Sequence, residues 1–334
     1  MPTDSRLEKL THWIHQTKPN AQLESASADA SFRRYFRVSD GLQTWIAMDA
    51  PPDKETLQPF IDVGERLASV SVNSPTIYQR DLKQGFLLMD DLGSIQYLSQ
   101  LNTETADSLY GDAFDALLKI QTANTSGLPL YDENLLTTEL QLMPQWFLRK
   151  HLGIELSRSE KAAMEKMFSF LIAMSIEQPQ VFVHRDYHSR NLMVTNENNP
   201  GVIDYQDAVC GPICYDLVSL LRDCYISWPE QQIDRWVDGF RLSLIEAGLL
   251  PQKAKQEQFK CWFDLIGLQR HIKVLGIFAR LSYRDGKAAY LKDLPLTLSY
   301  VLSVAACYDE TSELVSLFNK YDIPQRVGTV EIAA

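Results

Sequence analysis

Two short stretches concentrate the side chains able to do chemistry. Val181-Phe-Val-His184-Arg185-Asp186-Tyr187-His188-Ser189-Arg190-Asn191-Leu-Met-Val194 runs from an apolar strand through a polar loop into a second apolar strand. Gly201-Val-Ile-Asp204 ends a third apolar segment on a carboxylate. Three oxygen-bearing side chains are thereby expected to converge at strand ends. Magnesium takes hard oxygen ligands in near-octahedral geometry and binds through a few side chains plus phosphates, so Asn191 and Asp204 are the candidate metal ligands. Asp186 sits on the preceding loop, where a carboxylate can accept the proton of an attacking hydroxyl. The chemistry this set fits is phosphoryl transfer from Mg-ATP to an alcohol, in which positioning and charge stabilisation do most of the catalysis.

Neighbouring residues of similar type read differently. His184 is expected to brace the loop by hydrogen bonding. His188 has ligand-like spacing from Asp186, but imidazole suits zinc better than magnesium, which leaves it as loop scaffold or substrate contact. Cys210 and Cys214 lack a second ligand pair at zinc-site spacing and read as small buried apolar residues.

Periodicity predicts the elements that must position these groups. An amphipathic helix is expected over about 5–16, then strands through Phe32, Phe36 and Val38 and through Trp45, Ile46 and Met48, joined at Ser39-Asp40-Gly41. Pro51-Pro52 ends the second strand. From Lys54 to Ser69, apolar residues recur at helical spacing, with Glu65 the acid nearest that stripe. Gly85 to Gly93 reads as a buried strand entering an acidic turn, a natural boundary. Beyond it, 94–177 and 218–317 are mostly helical around one small hairpin. The expectation is an α+β chain with a β-rich lobe over 1–91 and a larger, mainly helical lobe over 92–334.

The pattern His184-x-Asp186-x-x-x-x-Asn191, with Asp204 thirteen residues further on, resembles the catalytic and metal-binding loops of the eukaryotic-type kinase superfamily. After Asp204 the chain lacks the Phe-Gly and long activation segment of protein kinases. Ile203-Asp204-x-x-x-Ala208, Gly211-Pro212 and Tyr215-Asp216-Leu217 resemble instead the aminoglycoside phosphotransferase and choline kinase-like group. Within it, Ala28 to Val38, Trp45 to Pro52, Leu88 to Gly93 and Tyr215 to Tyr225 are similar to the anomeric N-acetylmuramate/N-acetylglucosamine kinases of bacterial cell-wall recycling.

That resemblance implies a bilobal protein-kinase-like fold, ATP and Mg2+ as cofactors, and transfer of the γ-phosphate to the C1 hydroxyl of an N-acetyl amino sugar. It makes Asp216 a structural anchor for the next helix. It places adenine against the backbone of Met89 to Asp91 under Leu192. His188, alongside its scaffold reading, and Asp207 are candidate substrate contacts. The chain also departs from the kinase pattern: Met48 stands where related kinases carry a phosphate-binding lysine, and no Gly-rich loop is present. Ser31, in a small polar segment, and either Arg33 or Arg34 are the candidates to meet phosphate, since successive strand residues face opposite ways.

Arg270, Lys273, Arg280 and Arg284 fall within about 80° of one another on a helical projection. Such a basic stripe suits an anionic ligand and favours the lactyl carboxylate of a muramic sugar over a polycationic aminoglycoside; a salt-bridged outer face is the alternative. The chain's 334 residues carry a formal net charge of -11, which disfavours nucleic acid and anionic membranes as partners. No apolar run approaches the roughly 20 residues of a membrane span, and five cysteines without framework spacing point to a reducing compartment, so a soluble, cytoplasmic protein is expected. A small-molecule amino sugar is the expected partner, with no obligate protein partner called for. Two other readings remain open: a kinase for another small alcohol such as an aminoglycoside, choline-like or homoserine-like substrate, and a nucleotide-binding pseudokinase scaffold suggested by the absent lysine.

Overall fold

The computed structural model describes residues 4–28, 32–41 and 43–330. The elements in chain order are α1 (Ser5–His15), β1 (Gln22–Ala28), β2 (Arg34–Ser39), β3 (Thr44–Asp49), α2 (Gln58–Ser69), β4 (Ile77–Asp81), β5 (Phe86–Asp90), α3 (Ala106–Thr122), α4 (Glu133–Leu140), α5 (Arg158–Ile176), β6 (Gln180–Val183), β7 (Leu192–Met193), β8 (Gly201–Val202), β9 (Val209–Pro212), α6 (Tyr215–Leu221), α7 (Glu230–Glu246), α8 (Gln256–Asp285), α9 (Leu294–Ala305), α10 (Ser312–Lys320) and α11 (Ile323–Val327). A π-helical segment, Met143–His151, lies between α4 and α5. Contacts divide the chain into two units: Met1–Ala116 with Arg190–Asp207, and Leu117–Ser189 with Ala208–Ala334. The break expected after Asp91 follows chain order, whereas the contacts group 92–116 and 190–207 with the sheet.

The first unit is built on an antiparallel sheet of order β1-β2-β3-β5-β4. Asp4 caps α1 by accepting a hydrogen bond from the Leu7 amide at 3.0 Å. Leu10 and Ile14 of α1 are fully buried against Phe36, Val38, Ala47, Phe86 and Leu88 of the sheet. Each such side chain contributes about 1.5–3 kcal/mol on burial. The β2–β3 hairpin pairs Arg34 with Asp49 and Ser39 with Thr44, matching the expected strands. Phe32, expected in the first of them, lies outside β2 and is 63% exposed. Ser25 to Ala28 belong to strand β1, whose pairing with β2 shifts register between Ser25 and Ser27.

Helix α2 buries Phe60, Ile61, Val63, Gly64 and Leu67. Gly64 has a reason to be glycine: a Cβ there would stand 3.0 Å from the Tyr205 hydroxyl, and Phe60 packs on the Tyr205 ring at 4.7 Å. The residue after Asp204 is thereby wedged under α2. Glu65, the acid nearest the expected apolar stripe, is exposed. It lies one position round the helix from the buried stripe, on the solvent side.

The second unit is helical. Its centre is α8, 30 residues long and buried nearly all round between Phe263 and Ala279, packed against α5, α6, α7, α9 and the π-helical segment. At Gly276 a Cβ would meet the Leu142 backbone at 2.3 Å, so α8 approaches that segment at backbone distance. The single hairpin expected here is instead two ribbons. β6 pairs with β9, and β7 pairs with β8 in the first unit. Among the described residues, no helix is long and apolar enough to cross a membrane.

Candidate active site

Strand β6, buried from Val181 to Val183, delivers the chain to residues 184–191, which form neither helix nor strand. Such a loop is held only by bonds to its surroundings. Asp216, fully buried at the start of α6, accepts from the backbone amides of His184 at 2.6 Å and Arg185 at 3.0 Å. Burial pushes the Asp216 carboxyl up to about 7, against the pull of those two N–H groups and with the help of the Asp186 charge. His184 Nδ1 accepts from the Asp186 amide at 3.2 Å. Arg185 takes a left-handed backbone, φ 76°, a conformation sparsely populated by non-glycine residues and concentrated at functional sites.

Asp186 is half-buried. Burial favours its neutral acid, but Lys273, His188, Arg185 and Arg270 outweigh that and hold its carboxyl below the usual carboxylate range. At neutral pH it is therefore ionised, the form in which a carboxylate can accept a proton. The basic groups around it are organised by Glu139 of α4, a 5% exposed carboxylate that sequence periodicity gave no reason to single out. Glu139 pairs with Arg185 at 2.6 Å and with Lys273 at 2.9 Å, and accepts from Tyr131 and from Gln269. Lys273 also donates to the Tyr215 hydroxyl at 3.0 Å.

The basic stripe divides along its length. Arg270 and Lys273 are buried, 5% and 8% exposed, and act on Asp186 in the 184–191 loop. Arg280 is half-buried, and Arg284 is exposed and bonded to its neighbour Asp285 at 2.7 Å. Projection placed the four on one face; it could not show that the first two turn inward. His188, half-buried, meets the Tyr225 ring edge-on at 5.6 Å.

The first unit carries the candidate metal and nucleotide residues. Asn191 Nδ2 lies 3.4 Å from Asp204 Oδ2, the Ile203 amide donates to the Asn191 carbonyl at 3.1 Å, and Gln206 donates to Asp204 Oδ1 at 3.0 Å. Asp204 also has a left-handed backbone, φ 63°. Among the described residues no group of three His, Cys, Asp or Glu side chains forms a metal cage. An amide and a carboxylate side by side fit magnesium, which uses one or two side chains and leaves its other positions to water and phosphate. Asp207 is exposed.

Arg33 and Arg34 have separated roles. Arg33 Nε lies 2.5 Å from Glu55 Oε2, both largely buried, and Glu55 also accepts from the Phe32 amide at 3.2 Å. Burial opposes the Arg33 charge, yet Tyr35, Glu55 and Asp204 together raise its pKa. Arg34 instead binds fully buried Asp49, at 2.5 Å, and Asp4, and Asp49 is shared with Arg6. Glu55 was passed over because the helix expected from Lys54 starts only at Gln58, so the rotation that favoured Glu65 does not apply to it. Met48 is fully buried, and Leu192 is buried on β7. Met89 lies in β5, opposite both Ile46 and Ile77. The Asp91 side chain is taken by Arg37 at 2.6 Å, which leaves its backbone as the group to consider for adenine. Ser31 lies outside the described residues.

A profile of the phosphotransferase enzyme family matches residues 22–249. The chain belongs to that family. Phosphotransferase relatives of nearly equal length include the N-acetylmuramate/N-acetylglucosamine kinase of Pseudomonas putida, 42% identical over 94% of this chain and 96% of the relative. The protein of the same description from Neisseria meningitidis is 40% identical over 92% and 94%. Among solved structures, Plasmodium vivax ethanolamine kinase superposes with a TM-score of 0.64 at 10% identity, covering 93% of this chain and 88% of that one. ADP-bound aminoglycoside phosphotransferase APH(2'')-Ib gives 0.60 at 15%, covering 89% and 98%. The phosphotransferase therefore has the bilobal kinase-like fold, as expected from its motifs.

Proposed function

We propose that this phosphotransferase transfers the γ-phosphate of Mg-ATP to the anomeric C1 hydroxyl of N-acetylmuramate or N-acetylglucosamine, giving the sugar 1-phosphate. The observation that carries this reading is identity above 40% across nearly the whole chain to kinases named for those two sugars. The structure supports it with an ionised Asp186 ringed by basic groups.

In this reading Asp186 takes the proton of the C1 hydroxyl as its oxygen bonds phosphorus and the bond to ADP breaks; the proton then passes to solvent. Asn191 and Asp204 would hold magnesium, which when bound neutralises charge on the phosphate oxygens. Arg33, steadied by Glu55, does the work of the lysine that Met48 replaces, and Arg34 serves the fold. Adenine lies against the backbone of Met89 to Asp91 beneath Leu192. Lys273 and Arg270 keep Asp186 ionised, and His188, Asp207 and Arg280 remain candidate sugar contacts. Arg284, paired at the surface, is the weakest of them. The work of the enzyme is cytoplasmic, where ATP is available.

The test is ADP release by the purified protein with each sugar, an aminoglycoside and choline in parallel. Release with the two N-acetyl sugars alone, and only with magnesium, is expected; release with choline or the aminoglycoside alone would contradict the substrate.

A further inference from the structure

The loop that carries Asp186 has no helix or strand to fix it, and one of its ends is tied to Asp216 through the His184 and Arg185 amides. Its other end is tied to a second buried carboxylate. Asp223, 1% exposed and just past the end of α6, accepts from the Ser189 amide at 3.0 Å and from the Ser189 hydroxyl. Its other oxygen accepts from the Tyr225 amide at 3.3 Å, and the Tyr225 ring packs on His188. Ser189 is fully buried. Asp186 lies between the two ties: its amide donates to His184, and its carbonyl accepts from the His188 amide at 3.0 Å.

Asp216 lies in the first turn of α6 and Asp223 just past its end, and the helix is buried along its whole length. A rigid helix of seven residues spans about 10 Å and keeps its ends at fixed separation. Burying a carboxylate is costly unless its lone pairs are filled, and Asp223 fills them with donors from the loop and from Tyr225. An asparagine of the same shape would turn an NH2 group toward one of these donors. The geometry calls for a carboxylate.

We infer that Asp223 is a positioning residue for phosphoryl transfer, fixing the C-terminal end of the catalytic loop through Ser189 and, by way of Tyr225, the ring of His188. The inference rests on Asp186 as proton acceptor, so Asp186→Ala is measured alongside. With Mg-ATP and the amino sugar, Asp223→Asn lowers kcat roughly 100-fold and Ser189→Ala roughly 10-fold, the scale on which small misplacements of a catalytic group act. Both variants keep a cooperative melt, and both keep the Kd for Mg-ATP and the KM for sugar within about twofold, because neither side chain is read as touching a substrate. An Asp223→Asn enzyme with a kcat within about threefold of the parent would overturn the inference. So would an increase in sugar KM at unchanged kcat, which would make Asp223 a substrate contact, or loss of ATP binding together with turnover, which would make it a general prop of the fold. Asp186→Ala retaining parental rates would remove the group that Asp223 positions, a different failure that falls on the proton acceptor itself.

Discussion

Arg33 and Glu55 form an ion pair of 2.5 Å in the same unit as Asp204, and Arg33 feels the Asp204 charge as well. In protein kinases a strand lysine and a helix glutamate make the corresponding pair. Here the strand position holds a buried methionine, Met48, and in the proposed reading the cation is Arg33, just before β2. An arginine brings a planar fork suited to phosphate oxygens, and Glu55 limits where that fork can point.

Arg33→Met accordingly raises the KM for ATP by about tenfold or more, the scale of one lost charge-assisted contact. Arg34→Met leaves ATP kinetics near parental values and instead costs about 1–3 kcal/mol, because fully buried Asp49 loses one of its two arginines. Steady-state kinetics and thermal melts on the two variants separate these outcomes. The reverse assignment would put Arg34 at the phosphates.

The Asp186 carboxyl is held low by Lys273 first, then by His188, Arg185 and Arg270, against burial. A depressed carboxyl contributes stability and base function above its unfolded pKa, and loses both as pH falls through its folded value. Removing the leading cation in Lys273→Met raises that folded value. The acid limb of kcat against pH therefore moves to higher pH. A limb that stays in place or moves down would show that Lys273 does not act on Asp186.

Asp204→Ala removes the carboxylate of the candidate metal pair, whose partner Asn191 lies 3.4 Å away. In the parent, calorimetry is expected to give tighter ATP binding with magnesium than with EDTA. In the variant the two titrations coincide.

Gly276→Ala probes the packing of the second unit. The added methyl meets the Leu142 backbone, which cannot swing aside as a flexible side chain could. The expected loss is about 1–3 kcal/mol, seen as a lowered melting temperature.

Much of this was legible in the chain itself. The His184 to Asn191 loop and Asp204 stand out because polar residues interrupt apolar strands at fixed spacing, and α1, β2, β3 and β5 show in the periodicity. Other features are tertiary and leave little trace. Glu139 occupies an ordinary amphipathic helix, and only the packing of α4 beside α8 makes it the partner of Arg185 and Lys273. Strands β1 and β4 are too polar for alternation to reveal them: β1 is rich in Ser and Ala, and β4 exposes Tyr78. Residues 190–207 group with the sheet rather than with the helices that flank them in the chain. Asp223 did leave a usable signal: an acid two positions past the mostly apolar run Leu217 to Leu221 must be buried with partners or lie at the end of its helix.

The hydroxyl that receives the phosphate defines the reaction. Phosphorus NMR of the product formed from Mg-ATP and N-acetylmuramate, and separately from N-acetylglucosamine, reads it directly. A phosphate coupled to the anomeric proton of the sugar is the expected product. A phosphate on any other hydroxyl, or turnover of an aminoglycoside or choline with neither sugar modified, would contradict the proposed reaction.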